Sequence, residues 1–418
     1  MTGKRIVLIT YGSRGDVEPF VALGAGLARA GYAVRLAAPQ VYAGLAHAHA
    51  VDLSPLPGDP EQLALSLSDR AGTSFPRQVA RMVEHVYPLA ESVFAALEAA
   101  IADANLVVHS FLMVDAGHTL ARRRGVADLS AQFFPVFAAT SAFPGVGHAD
   151  LPLGPFYRRA THSVNNFVFR FGARLLYSRL RAARPQLPPL EAWPFSGPVA
   201  RRSPLLFAFS PLVLPHPSDW PANVHSTGYW PLPAPAGWSP PSTLARFVEA
   251  SPAPVYIGFG SMRSRRMPAF LQAAVEALSS AGLRGVIDAS PAVLAGIPLP
   301  DSILAVQGVP HAWLFPRMRL ILHHGGAGTT GAALRAGVPS AALPFWADHF
   351  LWARQTHALG VGPAPLPASR ITPHRLRAML YDAEHDPAIR TRASEFGSRL
   401  RREDGVAAAI EIIRGILR

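Results

Sequence analysis

Two glycine-rich stretches of this sequence hold the side chains that do chemistry. The first is His323-His324-Gly325-Gly326-Ala327-Gly328-Thr329-Thr330, placed after the apolar run Arg319–Leu322 and before helical sequence from Gly331 to Ala336. Glycine lets backbone approach a ligand closely, and free amides at a helix start attract phosphate oxygens. A histidine at such a mouth adds a donor to a diphosphate. Thr329 and Thr330 can bind phosphate or cap the helix, and the paired histidines also have a plainer reading as core residues. The second stretch is Gly12-Ser13-Arg14-Gly15-Asp16-Val17-Glu18-Pro19. Asp16 stands at a helix start, where it either caps that helix or serves as a general base toward a hydroxyl.

Two smaller segments accompany them. Gly258-Phe259-Gly260-Ser261 ends a strand, and Ser261 with its amide can reach a phosphate; Arg263, Arg265 and Arg266 add charge in a loop that is otherwise simply solvated. Asp348 and His349 lie just past the strand Ser340–Leu343, where side chains reach sugar hydroxyls, although Asp348 also suits the N-cap of a helix from Phe350. Other chemistries are absent. The chain has no cysteine, so disulfides, zinc–thiolate sites and thiol catalysis drop out. It has no Asp-x-Asp and no His-Glu-x-x-His, the spacings of two common metal sites. A dinucleotide site weakens too, because Gly-x-Gly-x-x-Gly is missing and the second strand ends in Ala37-Ala38 instead of an acid.

The elements that position these residues alternate. Strand Arg5–Thr10, helix Val17–Ala30 and strand Ala33–Ala38 make one unit; a long helix Gln78–Ala102 and strands Leu106–His109, Leu129–Phe134 and Leu205–Phe209 follow. The pattern restarts with strand Val255–Phe259, helix Pro268–Ala281 and strand Gly285–Asp288, and helical sequence from Pro387 to Arg418 closes the chain. Such alternation predicts two α/β domains, each a Rossmann-like, doubly wound parallel sheet, facing each other across a ligand-binding cleft. The expected boundaries are 1–215 for the N-terminal domain, 216–245 for a Pro-rich interdomain linker, 246–395 for the C-terminal domain, and 396–418 for a closing helix.

The 418 residues are half hydrophobic and 16% charged, which supplies two packed cores. The net charge of +12 favours anionic partners in general, and no nucleic-acid module accompanies it. The arginines cluster: Arg158, Arg159, Arg170, Arg174, Arg179, Arg181, Arg184, Arg201 and Arg202 lie among Phe156, Tyr157, Phe167, Phe169, Phe171 and Tyr177. The 158–202 region is therefore a candidate for peripheral contact with an anionic membrane, against the plainer reading of a solvated helical face. Residues Phe133 to Phe143 are either a greasy pocket or core. No apolar run approaches the ~20 residues of a spanning helix, and the start runs directly into a strand, so a cytoplasmic location is expected.

At these motifs the sequence resembles the UDP-glycosyltransferase superfamily with the GT-B fold, in the branch of bacterial macrolide and glycopeptide glycosyltransferases and sterol glucosyltransferases. The matching segments are Gly12–Pro19, Gly258–Met262, Val309-Pro310-His311 and His323 through Asp348. The resemblance implies that Gly308 to His311, with Val309 and His311 named here, lie against the nucleobase. It implies that the C-terminal domain binds the donor and the N-terminal domain the acceptor, with the final helix crossing back onto the N-terminal domain. It implies that His324, Gly328 and Thr329 hold the diphosphate with Ser261 assisting, that Asp348 and His349 contact the sugar, and that Ser13, Gly260, Gly325 and Gly326 also belong to the donor site. Asp16 takes the place of the family's catalytic base. Two positions depart: His349 stands where Gln is usual, leaving galactose, rhamnose or a deoxysugar open beside glucose, and the tryptophan usual just before Val309 is missing, leaving uracil and thymine open. The implied activity is metal-independent, inverting transfer of a hexose from a UDP- or dTDP-sugar to a hydroxyl of a lipophilic small molecule, with no cofactor beyond the donor. Rival readings on the same plan are a nucleotide-sugar epimerase or hydrolase and a non-catalytic nucleotide-sugar-binding protein.

Overall fold

The run Ile6–Ile9 is apolar on both faces and wholly buried, which suits a central strand of a parallel sheet covered on both sides. The computed structural model describes residues 3–60, 75–183, 185, 187, 189–195, 203–260, 262 and 266–418. Ser261, Arg263, Arg265, Arg184, Arg201 and Arg202 lie outside them. The chain divides into two units: Met1–Pro211 with Pro215–Trp230 and Asp404–Arg418, and Leu212–Leu214 with Pro231–Glu403.

The first unit carries strands β1 (Arg5–Ile9), β2 (Ala33–Pro39), β3 (Asp52–Leu56), β4 (Leu106–His109), β5 (Ala127–Gln132), β6 (Leu205–Phe207) and β7 (Val224–Ser226). They form one parallel sheet in the order β3-β2-β1-β4-β5-β6-β7. Helices α1 (Arg14–Arg29), α2 (Phe75–Ala100), α3 (Val114–Arg123) and α4 (Gly154–Ala183) belong to it. The second unit carries β8 (Val255–Gly258), α5 (Met267–Ser280), β9 (Gly285–Asp288), β10 (Ile303–Val306), β11 (Leu320–His323), α6 (Ala327–Ala336), β12 (Ser340–Ala342), α7 (Ala347–Ala358), α8 (Pro373–His385) and α9 (Pro387–Leu400). Its parallel sheet runs β10-β9-β8-β11-β12. In both sheets the strand order reverses direction after the first strand of the unit, β1 or β8. The crevice for ligands in such sheets opens at that reversal, beyond the carboxyl ends of the strands.

Three expectations shift. Helix α1 starts at Arg14, not Val17, and α6 at Ala327, not Gly331, so both chemistry-bearing loops run directly into the first turn of a helix. Residues 216–245 contain the crossing between the units, at Trp230–Pro231, and their first half packs within the first unit. Trp220 and Trp230 are buried, the Trp220 ring lies 4.9 Å from that of Phe207, and β7 pairs with β6. The prolines of the stretch lie outside β7, whose residues are Val-His-Ser, so they take no hydrogen bond from its ladder. The closing helix is two helices, α9 and α10 (Gly405–Ile416). Asp404 caps α10 by accepting from Ala407 N–H at 2.9 Å. Only 404–418 join the first unit, where Gly26 of α1 leaves room for Val406 and Ile410; a Cβ on Gly26 would collide with Val406.

Candidate functional site

In the first unit the loop after β1 turns into α1 with Ser13 as N-cap. Asp16 reaches back: Ser13 N–H and the Ser13 hydroxyl both donate to its Oδ2, at 2.7 and 2.9 Å. This is the carboxylate half of a capping box. Gly12, at φ 148°, makes it possible, since a Cβ there would sit 2.7 Å from the Asp16 Cγ. The capping role weighed from sequence is therefore real. It leaves Oδ1 with no hydrogen-bond partner among the described residues. Burial raises the Asp16 pKa above the ordinary carboxylate range, against the two hydrogen bonds from Ser13, which lower it. A half-buried carboxylate with one oxygen held and its proton affinity raised is a better general base than a solvated one.

One strand over, a buried polar group supports the same sheet edge. Asp128 Oδ2 lies 2.9 Å from both His109 Nε2 and His118 Nδ1. Burial opposes ionisation, but hydrogen bonds from the two imidazoles hold Asp128 down at about 2. The aromatic segment reads as core where it was ambiguous before: Phe133, Phe137 and Phe143 are buried. Phe137 stacks on Phe195 at 4.7 Å, and the half-buried Phe111 and Phe169 meet edge to face at 4.5 Å.

In the second unit β11 delivers two histidines with different fates. His323 is structural. Its Nδ1 accepts from Gly325 N–H at 3.1 Å, so its Nε2–H donates to Ser340 Oγ at 2.8 Å. His324 is committed on one side only: it is buried and bonds to the Gly258 backbone, while its Nδ1 has no partner. His349, in the first turn of α7, is likewise buried with Nδ1 unpartnered, and its ring lies 4.9 Å from that of His324. Burial, with neighbouring histidines adding to it, pushes His324 down to about 4 and His349 well below the ordinary imidazole range. Both rings are neutral near pH 7. Two buried imidazole nitrogens left without partners point to a ligand that supplies them.

Three of the glycines lie tight against the histidines. A Cβ on Gly260 would lie 2.8 Å from His324 Cε1, and one on Gly325 would lie 3.0 Å from the His349 carbonyl oxygen. A Cβ on Gly326 would overlap the His324 ring. These three make room for the histidines. Gly328 alone faces open space, in the first turn of α6, where the amides of Ala327, Gly328 and Thr329 have no intrahelical acceptor. The N-cap is Gly326, so Thr329 is free of the capping role. Asp348 is not the cap of α7 either; Trp346 is. Ala347, at φ 39°, carries the strained turn that presents Asp348 and His349 together.

A hollow of about 90 Å³ is lined by Phe259, Gly260, Met262, Asp288 and Gln307 among others, Gln307 standing two residues before Val309. Asp288 was missed from sequence. It ends β9 and accepts from Tyr256 Oη at 3.2 Å and from Gly308 N–H at 3.4 Å, while Tyr256 Oη also lies 3.4 Å from His311 Nε2. The segment expected at the nucleobase is thus pinned to the second strand by an acid. The signal was available: an acid at the end of the second strand of a βαβ unit, looked for after β2 and present after β9.

This arrangement, in two Rossmann-like units, is that of GT-B glycosyltransferases. The chain superposes over its full length on the crystal structure of the glycotransferase of kitacinnamycin, with TM-score 0.72 at 20% identity and 100% of both chains covered. It also matches Streptomyces sp. SF2575 glycosyltransferase SsfS6 complexed with thymidine diphosphate, at TM-score 0.65 and 21% identity over 99% of each. Residues 6–113 match the glycosyltransferase family 28 N-terminal domain, and residues 287–407 the erythromycin biosynthesis protein CIII-like C-terminal domain. The chain is 34% identical to O-mycaminosyltylonolide 6-deoxyallosyltransferase of Streptomyces fradiae, covering 98% of this chain and 96% of that one. It is 32% identical to a sterol 3-beta-glucosyltransferase of Emericella nidulans, of whose length it spans 30%. The chain belongs to the UDP-glycosyltransferase superfamily, in the branch of macrolide and sterol glycosyltransferases.

Proposed function

We propose that this protein transfers a hexose, with inversion and without a metal ion, from a UDP- or dTDP-sugar to a hydroxyl of a lipophilic small molecule. The observation that carries the reading is His324, a buried, neutral imidazole with an unpartnered nitrogen beside the open first turn of α6. His324 and the amides of Ala327, Gly328 and Thr329 take up the charge that grows on the departing diphosphate. Asp16 accepts the proton of the acceptor hydroxyl as its oxygen bonds to the anomeric carbon, and the bond to the diphosphate breaks in the same step. Asp288, by holding the Gly308–His311 segment, sets where the base lies. At the sugar end, a neutral His349 and the partly exposed Trp346 offer fewer polar partners than a glutamine. That fits a deoxyhexose, the sugar class in the name of the Streptomyces fradiae relative.

Calorimetric titration with UDP and dTDP in the absence of divalent metal tests the donor site. Micromolar binding of one of them, weakened in His324→Ala, is expected; no binding at millimolar nucleotide would sink the assignment. Movement of radiolabel from the donor into an organic-soluble product, lost in Asp16→Asn, then separates transfer from epimerisation, hydrolysis and mere binding.

A further inference from the structure

Helix α4 is apolar on two sides. Its inner side buries Thr161, His162, Tyr177 and Leu180. Its outer side carries Phe156, Ala160, Val164, Phe167, Phe171 and Leu175, at steps of four, four, three, four and four residues, which align in one stripe along a helix. The stripe is uncovered: Phe156 is 86% exposed, Phe167 67% and Phe171 58%, and Leu153 on the approach to the helix is 62% exposed. The Phe167 and Phe171 rings stack on each other at 6.0 Å, out in solvent. Seven of the eleven large exposed hydrophobics among the described residues fall between Leu151 and Leu175. Single exposed apolar residues are ordinary, but a continuous ridge marks a contact surface.

The charge around the ridge says what it contacts. Gly154–Ala183 contains six arginines and no Asp or Glu. Arg158 and Arg159 pair with Asp150 and Asp219, and Asp115 lies in electrostatic reach of Arg170 and Arg174, so the helix keeps a surplus of positive charge. Arg159, Arg170, Arg174 and Arg181 fall along one flank of the ridge by helical spacing. A second copy of the chain would set this flank against the same cations. A bilayer with anionic head groups satisfies both features at once, taking the rings between acyl chains and the guanidinium groups among phosphates. No described helix is long and apolar enough to cross a membrane, so α4 lies along the surface. We propose that the outer face of α4 docks the protein on an anionic lipid bilayer, independently of the transfer reaction.

Sedimentation of the full chain with phosphatidylcholine vesicles, with and without phosphatidylglycerol at about a third of the lipid, tests this. Binding is expected to the anionic vesicles at low salt, falling at least about ten-fold on neutral vesicles or at about 0.5 M salt. Phe167→Ser/Phe171→Ser should lose about ten-fold or more, since each ring brings a large apolar area. Arg174→Gln/Arg181→Gln, which leaves the ridge intact, should lose several-fold more on anionic than on neutral vesicles. Both pairs are exposed, so the variants keep the wild-type circular dichroism and melting temperature. No binding to anionic vesicles at low salt, or binding that neither pair of substitutions weakens, would overturn the proposal. So would a mass in solution twice that of one chain, abolished by Phe167→Ser/Phe171→Ser, in a protein that ignores vesicles; the ridge would then seat a second copy.

Discussion

The loop after β1 and the loop after β11 are built to one plan, a parallel strand running into the first turn of a helix, yet they treat their polar side chains in opposite ways. The first spends one carboxylate oxygen of Asp16 on its own N-cap and leaves the other. The second has a glycine N-cap, so the first amides of the helix stay unsatisfied, and it keeps His324 buried with its Nδ1 unpartnered. A half-held carboxylate is fixed in direction and accepts a proton. An uncapped helix start beside a neutral imidazole attracts an anion. The contrast shows that the cap residue, more than the glycine count, decides whether a loop ties down its carboxylate or leaves its helix amides open.

The largest expected effect breaks the comparison at its acidic end. Asp16→Asn keeps the Ser13 hydrogen bonds but cannot accept a proton; turnover should fall about a thousand-fold. Nucleoside diphosphate binding, followed by calorimetry, should stay within about two-fold; equal loss of both would mean that Asp16 is structural only. His324→Ala should do the reverse, weakening UDP or dTDP about ten- to a hundred-fold, while the Asp16 loop keeps its hydrogen-exchange protection.

Acid should separate the two units as well. His323 and His324 have pKa values lowered in the fold, to about 3 and about 4, so the unfolded chain binds more protons there and stability falls as pH drops from about 6.5 toward 4. Asp128 has its pKa lowered to about 2, so its contribution is present above the ordinary carboxylate pKa and is lost only as pH falls from there toward 2. Hydrogen exchange between pH 6.5 and 4 should show the second unit loosening first. Loss of protection around β4 and β5 ahead of β11 would contradict this. The smallest effect is Ser13→Ala. Removing its hydroxyl takes away a hydrogen bond that favours ionised Asp16, so the acidic limb of the pH–rate profile moves to higher pH, with a few-fold loss of rate on that limb and little change above it.

Much of this was legible before any coordinates. The apolar runs Ile6–Ile9 and Leu320–Leu322 reach the solvent on neither face, so only buried parallel strands accommodate them. The glycine-rich turns that follow had to be strand-to-helix loops. What misled the reading was local. Prolines at 231–241 and the neighbouring tryptophans read as a linker, because proline content is visible in a chain and the partner that buries Trp220, Phe207, is not. Asp288 went unnoticed because its partners, Tyr256 and Gly308, are 32 and 20 residues away.

Sequence alone determined most element types and the two parallel sheets, and it singled out the residues proposed for the diphosphate and the proton, since periodicity, glycine and helix starts act over a few neighbouring positions. Tertiary structure alone decided how those residues are shared out. It tied His323 to Ser340 and left His324 Nδ1 without a partner, made Gly260 and Gly326 room for the His324 ring and Gly325 room for the His349 backbone, and set Asp16 half in a cap. Those outcomes rest on contacts between strands and loops far apart in the chain, where burial and an unpartnered nitrogen have meaning only after packing.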